Sequence, residues 1–204
     1  MSIFLCRILS LCLILLPLAA HGAPPKLRPY AGSSLVIMRP PPPVEPGRPA
    51  TLVFYREPGI GRIVEPLFGQ FPQLNQILEP DAGEYPVAVI EKKGDWLKIA
   101  YDEAGRSGWV EMARRWDHIR WEDYLPDRTV RFLPWLKKSY YQLHKTPAAI
   151  GQVLEILAPD SVVRIDRVEG DWLLVTAAPG GTGWLRWRDE EGRFLITVRP
   201  DRPR

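Results

Sequence analysis

The sequence predicts a mainly β protein: two small β-barrels in tandem, joined by an aromatic-rich connector that carries a short helix. Three observations lead there. The stretch Gly94-Asp95-Trp96-Leu97-Lys98-Ile99, followed by Gly108-Trp109-Val110, returns as Gly170-Asp171-Trp172-Leu173-Leu174-Val175, followed by Gly183-Trp184-Leu185. The offset is 76 residues between the first glycines and 75 between the second, and self-similarity at one period marks a duplicated unit. The match extends upstream at offset 76, where Leu74, Gln76, Leu78 and Glu79 face Ile150, Gln152, Leu154 and Glu155, and Val87 and Val89 face Val163 and Ile165. Each copy also alternates with period two, so Leu97 and Ile99 share one strand face while Trp96 and Lys98 share the other. Units this small bury little surface and tend to close on themselves to remove free edges.

Residues 1–22 have the form of a secretory signal peptide: Arg7, the apolar run Ile8 to Leu18, then Ala20-His21-Gly22. The run is short for a membrane span, so none is expected once the signal is removed. Both cysteines, Cys6 and Cys12, lie in it, and bulky Leu11 beside Cys12 argues against lipidation. Processing therefore leaves a chain without disulfides or thiolate chemistry, and with 26 basic against 24 acidic groups. That near balance does not point to nucleic acid.

Residues 23–49 are a proline-rich linker, including Arg39-Pro40-Pro41-Pro42-Pro43. Such a run reads as a semi-rigid spacer or as a ligand for a groove. Leu35-Val36-Ile37-Met38 within it could add a short strand to a barrel edge. Domain 1 spans 50–113. It holds a strand at Pro86 to Ile90, the Trp96 strand, a polar turn and the Gly108-Trp109-Val110 return strand. The connector, 114–139, is too aromatic for a tether and is expected to pack between the barrels. Met112, Trp116 and Ile119 stand at helical spacing, and Thr129 to Leu133 reads as a strand. Domain 2 spans 140–198, with its tightest turn at Ala178-Pro179-Gly180-Gly181-Thr182-Gly183, and 199–204 form a polar tail.

The Gly-Asp-Trp-Leu strand and its Gly-Thr-Gly-Trp-Leu return resemble the central hairpin of Src homology 3 (SH3) domains, and most closely the exported bacterial variety, SH3b. Leu52 to Gly59 and Tyr141 to Pro147 supply the opening strand and proline-containing loop of that family, and copy one carries an extra loop around Arg62 to Phe71. The resemblance implies that Trp96 and Trp172 line ligand grooves, with Trp109 and Trp184 flanking them; the alternative is that all four are covered by other segments. Tyr101 and Trp187 offer a further aromatic shelf in copies one and two. Eukaryotic SH3 domains follow this strand with proline and then tyrosine. Glu111-Met112-Ala113 and Arg186-Trp187-Arg188 stand here instead, against a polyproline groove.

No nucleophile–base pair, phosphate loop or metal-ligand spacing is present in the mature chain. His118 and His144 are isolated and read as surface histidines, so no catalytic residue, metal or cofactor is expected. The resulting expectation is a periplasmic or secreted, non-catalytic binding or scaffold protein that recognises a cell-wall peptide or an envelope protein. The alternatives are an accessory subunit packing through its barrels, and an envelope hydrolase with SH3-like targeting modules.

Overall fold

The computed structural model describes residues 28–42, 49–177 and 181–199. The expected signal segment, the prolines at 43 and 46, the turn at 178–180 and the tail beyond 199 lie outside the described residues. The described chain is mainly β. In order it runs β1 (Ser34–Met38), β2 (Phe54–Glu57), β3 (Ile60–Val64), β4 (Tyr85–Val89), β5 (Glu91–Lys93), β6 (Trp96–Ala100), β7 (Ser107–Glu111) and β8 (Asp117–Arg120). A one-turn helix α1 (Trp121–Tyr124) leads to β9 (Thr129–Phe132), and a 3-10 turn (Lys138–Tyr141) leads to β10 (Gln142–His144). The chain ends with β11 (Val153–Ile156), β12 (Val162–Glu169), β13 (Trp172–Ala177), β14 (Gly181–Arg186) and β15 (Ile196–Arg199).

The second half forms one seven-stranded sheet in the order β11-β10-β14-β13-β12-β9-β15. β12 makes this possible. Its first residues, Val162 to Arg164, pair with β9, while Val163 to Glu169 pair with β13 across a bulge between Ile165 and Arg167. A bulge bends its strand and increases the twist, so one long strand turns the sheet around the core. The expected closed barrels are not found. β11 and β15 remain as edges, and no sheet of the described residues closes on itself.

In the first half the corresponding strand is interrupted at Ile90, and the sheet divides in two: β4-β1-β8 and β3-β2-β7-β6-β5. The hairpin registers nevertheless coincide. Lys93, Lys92 and Glu91 face Trp96, Leu97 and Lys98, as Glu169, Val168 and Arg167 face Trp172, Leu173 and Leu174. Val36 lies between Val87 and His118, as Val130 lies between Val163 and Val198. β1 and β8 thus hold the places in the first half that β9 and β15 hold in the second.

Several expectations change accordingly. Residues 34–38 are a central strand rather than an edge addition or part of a spacer, because Leu35 and Val36 are paired on both sides and fully buried. Residues 117–120 are strand, not helix. Pairing of Ile119 with Leu35 overrides the local helical spacing, and the helix starts only at Trp121. The upstream match fails at one place. Leu154 and Glu155 belong to β11, whose counterpart by pairing is β3, whereas Leu74 and Leu78 lie in the long connection 65–84 between β3 and β4. Only residues 157–161 join β11 to β12.

That longer connection crosses to the second half. Val198 N–H donates to Ile77 O at 2.7 Å, and Leu78 bridges to Val198. Residues 28–31 dock there too: Phe194 N–H donates to Pro29 O at 3.0 Å, Ala31 N–H donates to Gly192 O at 2.9 Å, and Arg28 pairs with buried Asp189 at 2.6 Å. Two cores result. One holds Phe54, Val87, Leu97, Ile99, Val110 and Trp116 of the first half. The larger holds Leu173, Val175, Leu185, Trp187 and Phe194, together with Ala31, Leu74, Ile77, Leu78 and Trp121. Trp121 seals the join, donating from Nε1 to Ala31 O at 3.0 Å and packing 5.5 Å from the Trp187 ring.

Candidate functional site

The repeated stretch builds the same aromatic arrangement twice. Gly94-Asp95 and Gly170-Asp171 link their strands through two residues, with the glycines at φ 57° and 56°. That left-handed backbone is the one a tight hairpin needs and a side chain resists. The register then places Leu97 and Leu173 in the cores and turns Trp96 and Trp172 outward, half-buried. Each meets a ring from the opening strand edge-on. Tyr55 lies 5.5 Å from Trp96 at 89°, and His144 lies 5.2 Å from Trp172 at 74°.

The glycine before the return tryptophan makes that crossing possible. A Cβ on Gly108 would lie 3.2 Å from Tyr55 O and 3.3 Å from the Phe54 Cβ; on Gly183 it would lie 3.2 Å from both His144 O and the Leu143 Cβ. In this way Tyr55 faces Trp109 and His144 faces Trp184 across the strands. Trp109 and Trp184 are buried and roofed by cations, Lys98 at 5.8 Å and Arg167 at 5.2 Å from the ring centroids. By register they share the outward sheet face with Trp96 and Trp172, one diagonal step away, each covered by its cation.

The two faces differ in charge and polarity. Beside Trp172, the Arg186 guanidinium lies 5.8 Å from the ring and pairs with Glu190, while Tyr140 Oη donates to Glu190 at 2.8 Å. Burial, then the bond to Glu190, pushes the Tyr140 phenol up to about 12. Glu190 is held below the usual carboxylate range, first by a backbone N–H and then by Tyr140. His144 is buried rather than at the surface. Its Nδ1 is the one buried side-chain nitrogen or oxygen without a hydrogen-bond partner among the described residues. Burial lowers its pKa, so the imidazole stays neutral at pH 7.

The other expected positions do not join these faces. Trp187 is 1% exposed and donates from Nε1 to Gly170 O at 2.9 Å. It is a core residue, since position 187 follows the strand into the join between the halves, and it offers no aromatic shelf. Tyr101 packs edge-on against Phe54 at 5.5 Å, beyond the far end of β6 and about 17 Å along the strand from Trp96. His118 bonds Ser34 Oγ through Nε2 at 2.9 Å. The sequence alone does not pair Tyr55 or His144 with these rings. The signal available was their shared place in Phe54-Tyr55 and Leu143-His144, a buried aliphatic or aromatic residue followed by a ring.

Residues 137–189 match the family model described as Bacterial SH3 domain. The second half carries a bacterial SH3 domain. The matched stretch contains β10 to β14, and with them His144, Trp172, Trp184, Arg186 and the Gly170-Asp171 turn of this SH3 domain. No curated protein matches the chain.

Proposed function

We propose that the chain is an exported, non-catalytic binding or scaffold protein in which both halves are SH3-like modules, each offering a tryptophan-centred face to a cell-envelope ligand. One observation supports this above the others: Trp96–Tyr55 and Trp172–His144 recur at matched registers, each tryptophan half-buried on the outward face of its hairpin. An indole left partly wet beside a second ring is the form of an anchor that gains from being covered. The Arg186–Glu190 pair beside Trp172 favours a polar, charge-bearing peptide on the second face, as a peptidoglycan stem peptide or an envelope-protein segment would be. The absence of a catalytic constellation in the sequence leaves binding as the activity.

The test is co-sedimentation of the protein with purified cell-wall sacculi and with detergent-solubilised envelope protein. Trp96→Ala and Trp172→Ala should each weaken retention by about 2 kcal/mol, roughly thirtyfold, and the double variant should abolish it. Full retention by the double variant rejects the ligand faces. A second reading, an accessory subunit that packs through its sheets, draws on the exposed apolar residues of the two edge strands, Ile60 and Ile63 on β3 and Leu154 and Ile156 on β11. Retention lost on placing lysine at Leu154 and Ile156, but kept in the double tryptophan variant, would select it.

A further inference from the structure

The loop from Leu133 to Tyr140 displays a tryptophan in a way that neither core explains. Its neck is pinned: the Phe132 and Tyr141 rings meet at 4.8 Å, and Leu133 N–H donates to Leu195 O at 2.9 Å. Leu133 and Leu136 turn inward and pack against the larger core. Between them Trp135 is 93% exposed, with φ at 64°. A bulky residue in the left-handed region is a steric outlier, and such strain persists where the surroundings enforce it, often at binding positions. Here the inward leucines enforce it, and the left-handed turn throws the indole outward. The following residues, Lys137 and Lys138, are exposed; neither makes a close ion pair among the described residues, and the Lys137 charge acts on Glu190.

The geometry points to a membrane-contact site: Trp135 seats at the headgroup level of an anionic phospholipid surface while Lys137 and Lys138 engage the lipid phosphates. Charge decides the lipid class, because two exposed ammonium groups beside the indole complement an anionic surface. Size decides against a protein partner. One indole and two lysines on a single loop fall far short of the roughly 1,200 Å² of total surface that specific protein interfaces bury. Tryptophan flanked by lysine is, in contrast, the composition that settles at the boundary between headgroups and acyl chains. The loop borders the Trp172 face, where Tyr140 and Lys137 both act on Glu190, while Trp135 itself is left exposed to solvent.

The experiment uses the full chain and vesicles with brominated acyl chains, either phosphatidylcholine alone or mixed with phosphatidylglycerol, and reads quenching of tryptophan fluorescence. Residues 1–22 are kept in every variant, so the Trp135→Ala chain sets the baseline for any quenching that insertion of that apolar segment brings about. Quenching is expected on the anionic vesicles and should fall as salt is raised. Lys137→Glu with Lys138→Glu, which keeps the indole, should weaken it about tenfold. Trp135→Ala should remove the quenched component with an unchanged circular dichroism spectrum, and Trp135→Phe should retain vesicle affinity by sedimentation. Equal quenching on phosphatidylcholine alone, unchanged quenching in the double lysine variant, or no quenching at all overturns the assignment. Protection of Trp135 by polyglutamate at concentrations below those needed with vesicles overturns the lipid in favour of an acidic polypeptide.

Discussion

Gly108 and Gly183 show how one missing Cβ shapes a surface. Each lies where the opening strand crosses the return strand, with backbone and Cβ atoms 3.2–3.3 Å from where a methyl group would sit. Gly108→Ala and Gly183→Ala should each destabilise the protein by about 1–3 kcal/mol, read as a lower denaturant midpoint, and should loosen the Tyr55–Trp96 or His144–Trp172 contact. The tryptophans divide by surroundings. Trp187→Ala removes a ring from the larger core and should cost about 3–5 kcal/mol, whereas Trp96→Ala should cost about 1 kcal/mol, the loss of one edge-on ring contact.

His144 adds a dependence on pH at the same scale. Burial lowers its folded pKa below the ordinary 6.5, so on acidification the unfolded chain takes up the proton first. Stability is complete above pH 6.5 and declines as pH falls towards the folded value. His118, lowered by burial and then by Lys92, acts in the same direction. The urea midpoint should therefore drop between about pH 7.5 and pH 5.5, and His144→Phe should flatten that drop while keeping the ring beside Trp172.

At the scale of elements, the two halves differ in how one strand is used. β12 runs unbroken through its bulge, whereas its counterpart divides at Ile90 into β4 and β5. The 65–84 connection then carries Leu74, Ile77 and Leu78 into the other half's core. Ile77→Asp puts an unpaired charge at that join, and it should split a single thermal unfolding transition into two, seen by calorimetry. The hairpins were legible because turn glycines and period-two alternation are local signals, and the Trp96 and Trp172 parity followed from them. β1 was legible as a short strand but not as a central one, and β8 was not legible, because it is the pairing of Leu35 with Ile119 across the chain that places both. The duplicated pattern at 74–79 misled for a related reason. A leucine spacing that suits an edge strand also suits a docked loop, and only the partner distinguishes them.

For the whole molecule, strands β1 and β9, with their flanking partners, open and close the two halves in the same order, and three segments lock the halves together: residues 28–31, the 65–84 connection and Trp121. On the proposed function, two tryptophan faces on such a frame would keep a fixed separation and could hold two ligands or two points on one ligand. The ring partners of those faces were only weakly signalled, by their shared place after Phe54 and Leu143, because Tyr55 and His144 reach the tryptophans through strand crossings with no shared spacing to them. The most direct measurement is the response of the eight indole N–H resonances to a soluble peptidoglycan stem peptide in a protein with labelled tryptophan. The signals of Trp96 and Trp172 should shift with saturation while those of Trp121 and Trp187 stay in place. Saturating movement of Trp121 and Trp187 alone, or no movement at any indole with either stem peptide or envelope-protein fragments, would contradict two ligand faces.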